Sequence, residues 1–482
     1  MSESRHAARS LTIAISGDLI GMAFVLAQGI ITARYLGAEL FGVWRFSLAW
    51  VLTASAAIDL GLSTMATREI ARDHSCAGSL LSHITGLRMT LGLATGAALA
   101  LIGFHTAPSH SAGILLCIMC LYLLLSAPNI YLLVFRATER MLTATIINVG
   151  SRALALLGLV CAIRLHGGLI GVALAFFAAL IATILLIALL LPPVARPLRI
   201  RIQPSRWKPL VIAALPFFAM NMLWEIYSRI DQMLIPYLDS MRGNGLYGIA
   251  VSITMNFQII PTAISGFVYP WFTRRAANAA TPPMHTASRI LYRYLSIISF
   301  GSLVLVGLFG EDWIVLLFGN EYREAAGALL ILTATLPLIA LYAVNVPLLY
   351  ALDRQGVVLK ILLAGVAIDV ILDLLLIPPM GYRGAAWATL ATHAVFCTGT
   401  IVEAHRAVPG LDAWKHVARP AASAAGAAAV ILAAAPLDFA PRLAAGAASY
   451  AILLLITRAL TPQDAALFRD ALRRGGSGIS PP

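Results

Sequence analysis

The sequence has little charge. Only 12% of its 482 residues are Asp, Glu, Lys or Arg, whereas 60% are apolar and the mean hydropathy is +0.86. A soluble globular domain needs a more polar surface than this composition can provide. We therefore expect an integral membrane protein, in which roughly fourteen helical crossings of about 20 residues each would leave no room for a large soluble domain.

Lysines, cysteines and nucleotide-binding motifs are also scarce. With three lysines in the chain, no G-x-x-x-x-G-K-[S/T] motif occurs, which excludes a pump with its own Walker-type ATP site. Cys117 and Cys120 form a single C-x-x-C, without a second pair or a histidine at metal-ligand spacing. We therefore predict no metal centre, no cofactor and no catalytic residue. The net charge of +12 is expected to set membrane topology rather than to bind nucleic acid.

Apolar segments between polar or Pro/Gly breaks predict an all-α membrane fold. Residues 1–200 would form an N-terminal lobe of six helices and residues 201–408 a second lobe of six. Residues 409–482 would add two helices and an amphipathic cytoplasmic tail helix at about 462–474. The predicted spans are 11–33, 41–63, 84–104, 113–135, 143–164, 168–192, 210–236, 245–272, 290–310, 325–352, 358–377, 382–404, 419–435 and 441–460.

Basic residues are distributed unevenly between alternate connections. The N-terminus, the even-numbered connections and the tail hold 25 of the 34 Lys and Arg residues, whereas the opposite loops hold six. Because basic residues accumulate on the cytoplasmic side, both termini are predicted to be cytoplasmic. The outer loops are short, and one of them is acidic, with Glu311, Asp312, Glu321 and Glu324.

Three short motifs recur in the same order in the two six-helix blocks. The pairs are Phe41-Gly42-Val43 with Tyr247-Gly248-Ile249, Ala137-Thr-Glu-Arg140 with Ala351-Leu-Asp-Arg354, and Gly168-Leu-Ile-Gly171 with Gly381-Tyr-Arg-Gly384. This order indicates an internal duplication. An even number of helices in each repeat gives both lobes the same orientation, related by a pseudo-two-fold axis along the membrane normal around a central cavity.

Arginines inside or at the ends of the predicted spans are candidates for substrate binding, since a charge within a membrane helix usually faces a cavity or a partner. Counting 1.5 Å per residue places Arg45 and Arg229 in the outer half of the membrane, in different lobes. Structural alternatives exist, because Glu225 lies one turn from Arg229 and Gly37 predicts a left-handed helix cap beside Arg34. The candidates are Arg45, Arg229, Arg152 and Arg34.

Carboxylates inside the predicted spans are candidates for ion coupling. A partly desolvated carboxyl group can bind and release a proton or a cation during a transport cycle. One of them has a structural alternative, since Asp18 is predicted at the same depth as Arg152 and would neutralise it. The coupling candidates are Asp18, Glu225, Asp231, Asp369 and Asp373.

Several motifs resemble those of a known family. Residues 33–44 (ARYLGAELFGVW) and 59–72 (DLGLSTMATREIAR), with Arg229-Ile-Asp231 and Tyr269-Pro270, are similar to bacterial polysaccharide and O-antigen flippases of the multidrug/oligosaccharidyl-lipid/polysaccharide exporter superfamily. The resemblance covers residues 11–460. It implies two six-helix lobes around a central cavity, often with two extra helices.

The resemblance also implies a substrate. Such a protein would move an undecaprenyl-diphosphate-linked oligosaccharide from the cytoplasmic to the periplasmic leaflet of the bacterial inner membrane by alternating access. The glycan would serve the synthesis of O-antigen (and so of lipopolysaccharide), capsule or exopolysaccharide, which the motifs do not distinguish. Expected partners are this lipid-linked glycan, membrane lipids and proteins of polysaccharide polymerisation or export.

Two other functions remain open at this point. A multidrug or cation antiporter of the same superfamily would need acids and aromatic residues in its cavity, and the buried arginines oppose that. A membrane polysaccharide polymerase or ligase would need a sizeable outer loop with clustered catalytic groups, whereas the predicted outer loops are short.

The predicted topology can be tested with single cysteines in a background without the five native ones. A cysteine replacing Ser205, in the long connection at 193–209, should be inaccessible to an impermeant thiol reagent added to whole cells. A cysteine replacing Ser111, in the segment after the third span, should react with it. Labelling of both positions from outside would contradict the predicted orientation.

Overall fold

Helical elements account for all regular structure in residues 2–138, 140–196, 199–276 and 281–460, which the computed structural model describes. The first nine α-helices are α1 (Ser2–Asp59), α2 (Leu62–Arg72), α3 (Ala77–Thr106), α4 (His110–Leu125), α5 (Leu132–Ala137), α6 (Met141–Arg164), α7 (Gly168–Leu190), α8 (Pro204–Tyr227) and α9 (Ile230–Leu238). The next nine are α10 (Met241–Ala276), α11 (Thr281–Ser302), α12 (Gly310–Phe318), α13 (Ala326–Thr333), α14 (Thr335–Ala351), α15 (Gln355–Met380), α16 (Tyr382–Ala407), α17 (Ala413–Ala433) and α18 (Phe439–Ile456).

The predicted all-α membrane architecture is confirmed. Twelve helices in the described ranges are long and apolar enough to cross a membrane. One of these, Ile20–Asp59, covers the first two predicted spans, and the seventh predicted span falls on the two shorter helices α8 and α9. The prediction of fourteen crossings stays a prediction, and the predicted tail helix lies outside the described residues.

Gly37 breaks the long helix α1 into two. Its φ of 73° and ψ of 170° are not helical. The positive φ agrees with the predicted need for glycine, but the ψ differs from that of a left-handed cap and belongs to a region that only glycine adopts readily. The chain therefore changes direction at this residue, between the first and second predicted spans.

A segment from far along the chain covers this break. The Tyr322 hydroxyl donates a hydrogen bond to the carbonyl of Ala33 (2.7 Å), and the backbone N–H of Ala38 donates to the Glu321 carboxylate (2.6 Å). Ala38 begins the second part of α1, where the free N–H groups and the helix dipole favour an anion. Glu321, predicted in an acidic outer loop, thus caps the N-terminus of a membrane helix.

The repeated motifs form the same turn in both halves of the sequence. The N–H of Arg140 donates to the carbonyl of Phe135 (2.7 Å), and the N–H of Arg354 donates to the carbonyl of Leu349 (2.9 Å). Each bond closes the end of one helix before the next begins. The two motifs therefore share a local turn, and the duplication of the two lobes stays a prediction.

Inter-helix contacts divide the chain into two compact units. The first contains Met1–Ser252, Leu317–Tyr322 and Val370–Ala385, with an apolar core in which α2, α3, α5 and α6 meet. The second contains Ile253–Leu316, Arg323–Asp369 and Ala386–Pro482, with one core around α11, α14 and α16 and another between α17 and α18. The lobe boundaries near residues 200 and 408 stay a prediction.

Replacing Gly37 by Ala should destabilise the protein by about 1–3 kcal/mol, because a side chain is strained at this φ and ψ. The added Cβ would also lie 3.1 Å from a Glu321 carboxylate oxygen. Gly29→Ala is the matched control on the same helix, since nothing lies within 4 Å of its Cβ position. Thermal unfolding in detergent should show a lower midpoint for Gly37→Ala alone, and equal midpoints would contradict this account.

Candidate functional site

The candidate site lies in the first compact unit, where the chain is interrupted between α8 and α9, in the seventh predicted span. Helix α8 ends at Tyr227, and Arg229, with φ of −138° and ψ of −8°, precedes the start of α9 at Ile230. An interrupted helix leaves backbone N–H and C=O groups free to bind polar ligands within a membrane. The break therefore occurs at a predicted site residue.

Arg229 pairs with Glu225 across one turn at the end of α8. The guanidinium Nη1 contacts the Glu225 carboxylate, and both side chains are partly exposed, at 25% and 30%. Their spacing of four residues on the helix brings them together, as the sequence predicted. This pair neutralises one charge and is not fully buried by the protein, so an incoming anion can compete with Glu225 for the arginine.

Arg45 lies close to Arg229 and packs on α10. The two guanidinium groups are near enough to interact by charge. A Cβ added to Gly248 would lie 3.0 Å from Nε of Arg45, so glycine makes room for the arginine side chain. The Nε group of Arg45 is buried and has no hydrogen-bond acceptor among the described residues. The structure thus brings together two arginines that the sequence assigned to different lobes.

A close helix crossing holds Arg45 in this position. Helices α1 and α10 meet at Gly42 and Gly245, where an added Cβ would collide with backbone carbonyls of the opposite helix. The Asn244 side-chain amide also donates a hydrogen bond to the carbonyl of Gly42 (2.9 Å). Contact between backbones of this kind is typical of membrane helices with small residues at their interface. It gives the site a rigid wall.

Two buried carboxylates lie beside the arginines. Asp231 follows the helix break and accepts a hydrogen bond from the Tyr247 hydroxyl. An oxygen of Asp373, on α15, lies within 4.8 Å of an oxygen of Asp231. Asp369 precedes Asp373 by one turn of α15, and its carboxylate accepts a hydrogen bond from Thr392 (2.8 Å). Two carboxylates at the Asp231–Asp373 separation have the chemistry to share a proton or a hard cation.

Arg88 is a buried arginine that the sequence analysis did not single out. It lies on α3 near the predicted cytoplasmic boundary and was counted among the topology-setting residues. Its Nη1 lies 3.5 Å from Asp59, and the two side chains are 11% and 18% exposed. The phenol of Tyr122, on α4, lies near both Arg88 and Arg229. No spacing motif links these residues, so only the packing of α3 and α4 against α1 reveals the group.

The remaining predicted residues lie apart from this group. Arg34 donates a hydrogen bond from Nε to the carbonyl of Leu317 (2.7 Å), at the covered helix break. Arg152, on α6, packs so closely against α1 that a Cβ added to Gly21 would collide with its guanidinium. Asp18 lies outside the described side chains, so its predicted pairing with Arg152 stays a prediction.

The arrangement is suited to binding an anion inside a membrane. Arg45, Arg88 and Arg229 carry positive charge at buried or half-buried positions, and their guanidinium groups stay protonated and can hold phosphate oxygens in two parallel bonds. Glu225 contacts Arg229 closely, whereas Asp59 lies 3.5 Å from Arg88. The buried Nε groups of Arg45 and Arg88, which have no acceptor among the described residues, are donors that a phosphate oxygen could accept from.

Comparison with known proteins gives a family match. The family model described as "Polysaccharide biosynthesis protein" matches residues 7–275, more than half of the chain. The probable flippase AglR of Haloferax volcanii is 30% identical over 190 residues, and the probable low-salt glycan biosynthesis flippase Agl15 of the same organism is 25% identical over 183 residues. These matches span 38% and 37% of the relatives' own lengths.

Solved structures share the fold over most of the chain. The lipid II flippase MurJ in an inward closed conformation superposes with a TM-score of 0.75 at 14% identity, covering 96% of this chain and 100% of that one. An inward-facing multidrug resistance MATE family transporter of the MOP superfamily gives a TM-score of 0.67 at 17% identity, covering 83% of this chain and 98% of that one. At this identity the likeness establishes the fold alone.

Proposed function

The chain belongs to the polysaccharide biosynthesis protein family, and on this premise we propose that it is a flippase for a lipid-linked oligosaccharide. The substrate proposed is an undecaprenyl-diphosphate-linked glycan, moved from the cytoplasmic to the opposite leaflet by alternating access. The observation that carries the proposal is the buried Nε of Arg45, which has no acceptor among the described residues and lies near the partly exposed Arg229 of the same unit. The flippases AglR and Agl15 are consistent with it.

A diphosphate explains why arginine is used. It carries up to about two negative charges, and its passage through a low-dielectric region requires positive charge that burial does not remove. Arginine keeps its charge when buried, whereas lysine can lose its proton there. The fork of each guanidinium also fits the oxygens of a phosphate group. In this proposal Arg45 and Arg229 bind the diphosphate, and Arg152 and Arg34 contact the substrate at other stages.

A transporter of cationic drugs is the second candidate, because the fold is also that of MATE family transporters. Arg45 and Arg229, which lie close together, would repel a cation. We therefore favour the anionic substrate, and a direct comparison of the two substrate classes separates the candidates.

The setting proposed is the bacterial inner membrane with both termini cytoplasmic. The segregation of basic residues supports this orientation. Polymerisation or export proteins would receive the glycan after translocation. The transport step itself requires no chemistry on the substrate, so the protein acts as a transporter and not as an enzyme.

Replacing Arg45 or Arg229 by Ala should lower translocation at least about tenfold, because each loses charge-assisted bonds to phosphate. Lysine at either position should restore it only in part, since the bidentate geometry is lost. The measurement is the protection of a fluorescent prenyl-diphosphate oligosaccharide from an impermeant quencher in proteoliposomes.

The matched control is Arg164→Ala, at the exposed end of α6, which should behave as wild type. Wild-type translocation by a triple Arg45, Arg152 and Arg229 alanine variant would refute the arginine site. Transport of a cationic dye by the wild type, without transport of the glycolipid, would favour the drug antiporter.

We further propose that the buried carboxylates couple transport to an ion gradient. Carboxylate oxygens of Asp231 and Asp373 lie within 4.8 Å of each other, which supports a shared proton or cation. Neutralising either carboxylate removes that capacity. The amide variants Asp231→Asn and Asp373→Asn should keep the fold but lose the dependence of translocation on an imposed pH or sodium gradient. Asp18, Glu225 and Asp369 remain candidates, so the same measurement extends to their amide variants.

Asp438→Asn is the control for this experiment, because Asp438 is an exposed acid in the connection before α18. It should retain gradient dependence. Normal gradient dependence in all five amide variants would place coupling elsewhere in the protein.

A further inference from the structure

We propose that the anion site does not end at Arg45 and Arg229 but continues along the first unit to Arg88, forming a track for the diphosphate. The track consists of Arg45, Arg229, Tyr122 and Arg88, with Asp59 at its end. This inference rests on the proposed function and extends it to a residue near the cytoplasmic end of the path.

The length of the track follows from helix α1. Arg45 and Asp59 lie fourteen positions apart in the second part of α1, between Ala38 and the end of the helix. At 1.5 Å per residue they are separated by about 21 Å along the axis, more than half of a hydrocarbon core of about 30 Å. Arg88 lies beside Asp59, so positive groups occur at both ends of this distance.

Arg88 is held only loosely at its end. Its guanidinium lies 3.5 Å from Asp59, a carboxylate that already accepts hydrogen bonds from the Ser63 hydroxyl (2.6 Å) and backbone N–H (3.3 Å). The buried Nε of Arg88 has no hydrogen-bond acceptor within the described part of the chain. An arginine kept only for structure would be expected to have its buried donors satisfied, because an unsatisfied one is costly. A phosphate oxygen would supply the missing acceptor.

Tyr122 connects the two ends of the track. Its phenol lies near both Arg88 and Arg229. The ring also packs on Phe176, at 5.6 Å between centroids, and Phe176 packs on Trp44 beside Arg45. These ring contacts hold Tyr122 in place near the arginines, and its hydroxyl is a neutral donor that a phosphate can contact while moving from one arginine to the other.

A track of several arginines avoids trapping the diphosphate at one tight binding site. A single tight site would hold the diphosphate, whereas a row of sites of moderate strength lets the anion leave one as it reaches the next. When no anion is bound, Asp59 lies beside Arg88 and Glu225 pairs with Arg229. These carboxylates limit the energetic cost of burying the two arginines. Each carboxylate then competes with the substrate, so removing it should strengthen anion binding.

This competition gives a test with effects of opposite sign. The probe is farnesyl diphosphate, and its dissociation constant is measured for the purified full chain in detergent. We expect Arg88→Gln to weaken binding about tenfold, since charge-assisted bonds to phosphate are lost. Asp59→Asn should instead tighten binding several-fold, because the amide keeps an acceptor for Ser63 but no longer competes for Arg88. Farnesyl monophosphate should discriminate less between wild type and Arg88→Gln.

The control is Arg72→Gln, which removes the arginine of an exposed pair with Glu69 at the end of α2. It should bind the probe as wild type does. If Asp59→Asn fails to fold, Arg88→Lys replaces it and should show intermediate affinity, because it keeps the charge and loses the fork. Thermal unfolding of each variant verifies that binding is compared between folded proteins.

The outcomes separate this inference from the proposed function. A wild-type protein that binds no prenyl diphosphate would contradict the proposed flippase. Binding by the wild type with no loss in Arg88→Gln would overturn the track and leave the flippase standing. Equal weakening by Arg88→Gln and Asp59→Asn would overturn it too, because it would identify a structural ion pair.

Discussion

The cost of placing charge inside a membrane is the constraint on which the site depends. A buried guanidinium requires a carboxylate, an acceptor or a substrate nearby, and a bare one is unfavourable by several kcal/mol. Arg229 meets this requirement with Glu225, and Arg88 meets it partly with Asp59 at 3.5 Å. Arg45 meets it least, since its buried Nε has no acceptor in the described ranges. This difference between the arginines supports the proposed anion site.

The first unit combines close backbone contacts between helices with ion pairs between side chains. Backbone contact at Gly42 and Gly245 fixes α1 against α10, and the Glu321 carboxylate caps the helix that begins at Ala38. The ion pairs of Arg88 and Arg229 instead join side chains that can exchange partners. A transporter needs both, because a fixed frame preserves the path while exchangeable pairs let the substrate pass.

The helix breaks at Gly37 and Arg229 also depend on nearby charged groups. Gly37 breaks α1 where a carboxylate compensates the exposed N–H groups, and the break at Arg229 lies where an anion or a cation can do so. In a membrane, free backbone groups are tolerated only where protein, water or ligand satisfies them. Both breaks thus coincide with charged side chains.

Hydropathy alone determined that the chain is an all-α membrane protein, because the preference of each residue for lipid or water is expressed locally. Helical spacing likewise determined the pairing of Glu225 with Arg229. The tertiary structure decided the rest. Membrane helices are apolar on every side, so their sequences do not reveal which face meets which neighbour. Arg88 was therefore assigned to the boundary, and the neighbours of Asp231, namely Tyr247 and Asp373, became visible only when distant helices packed together.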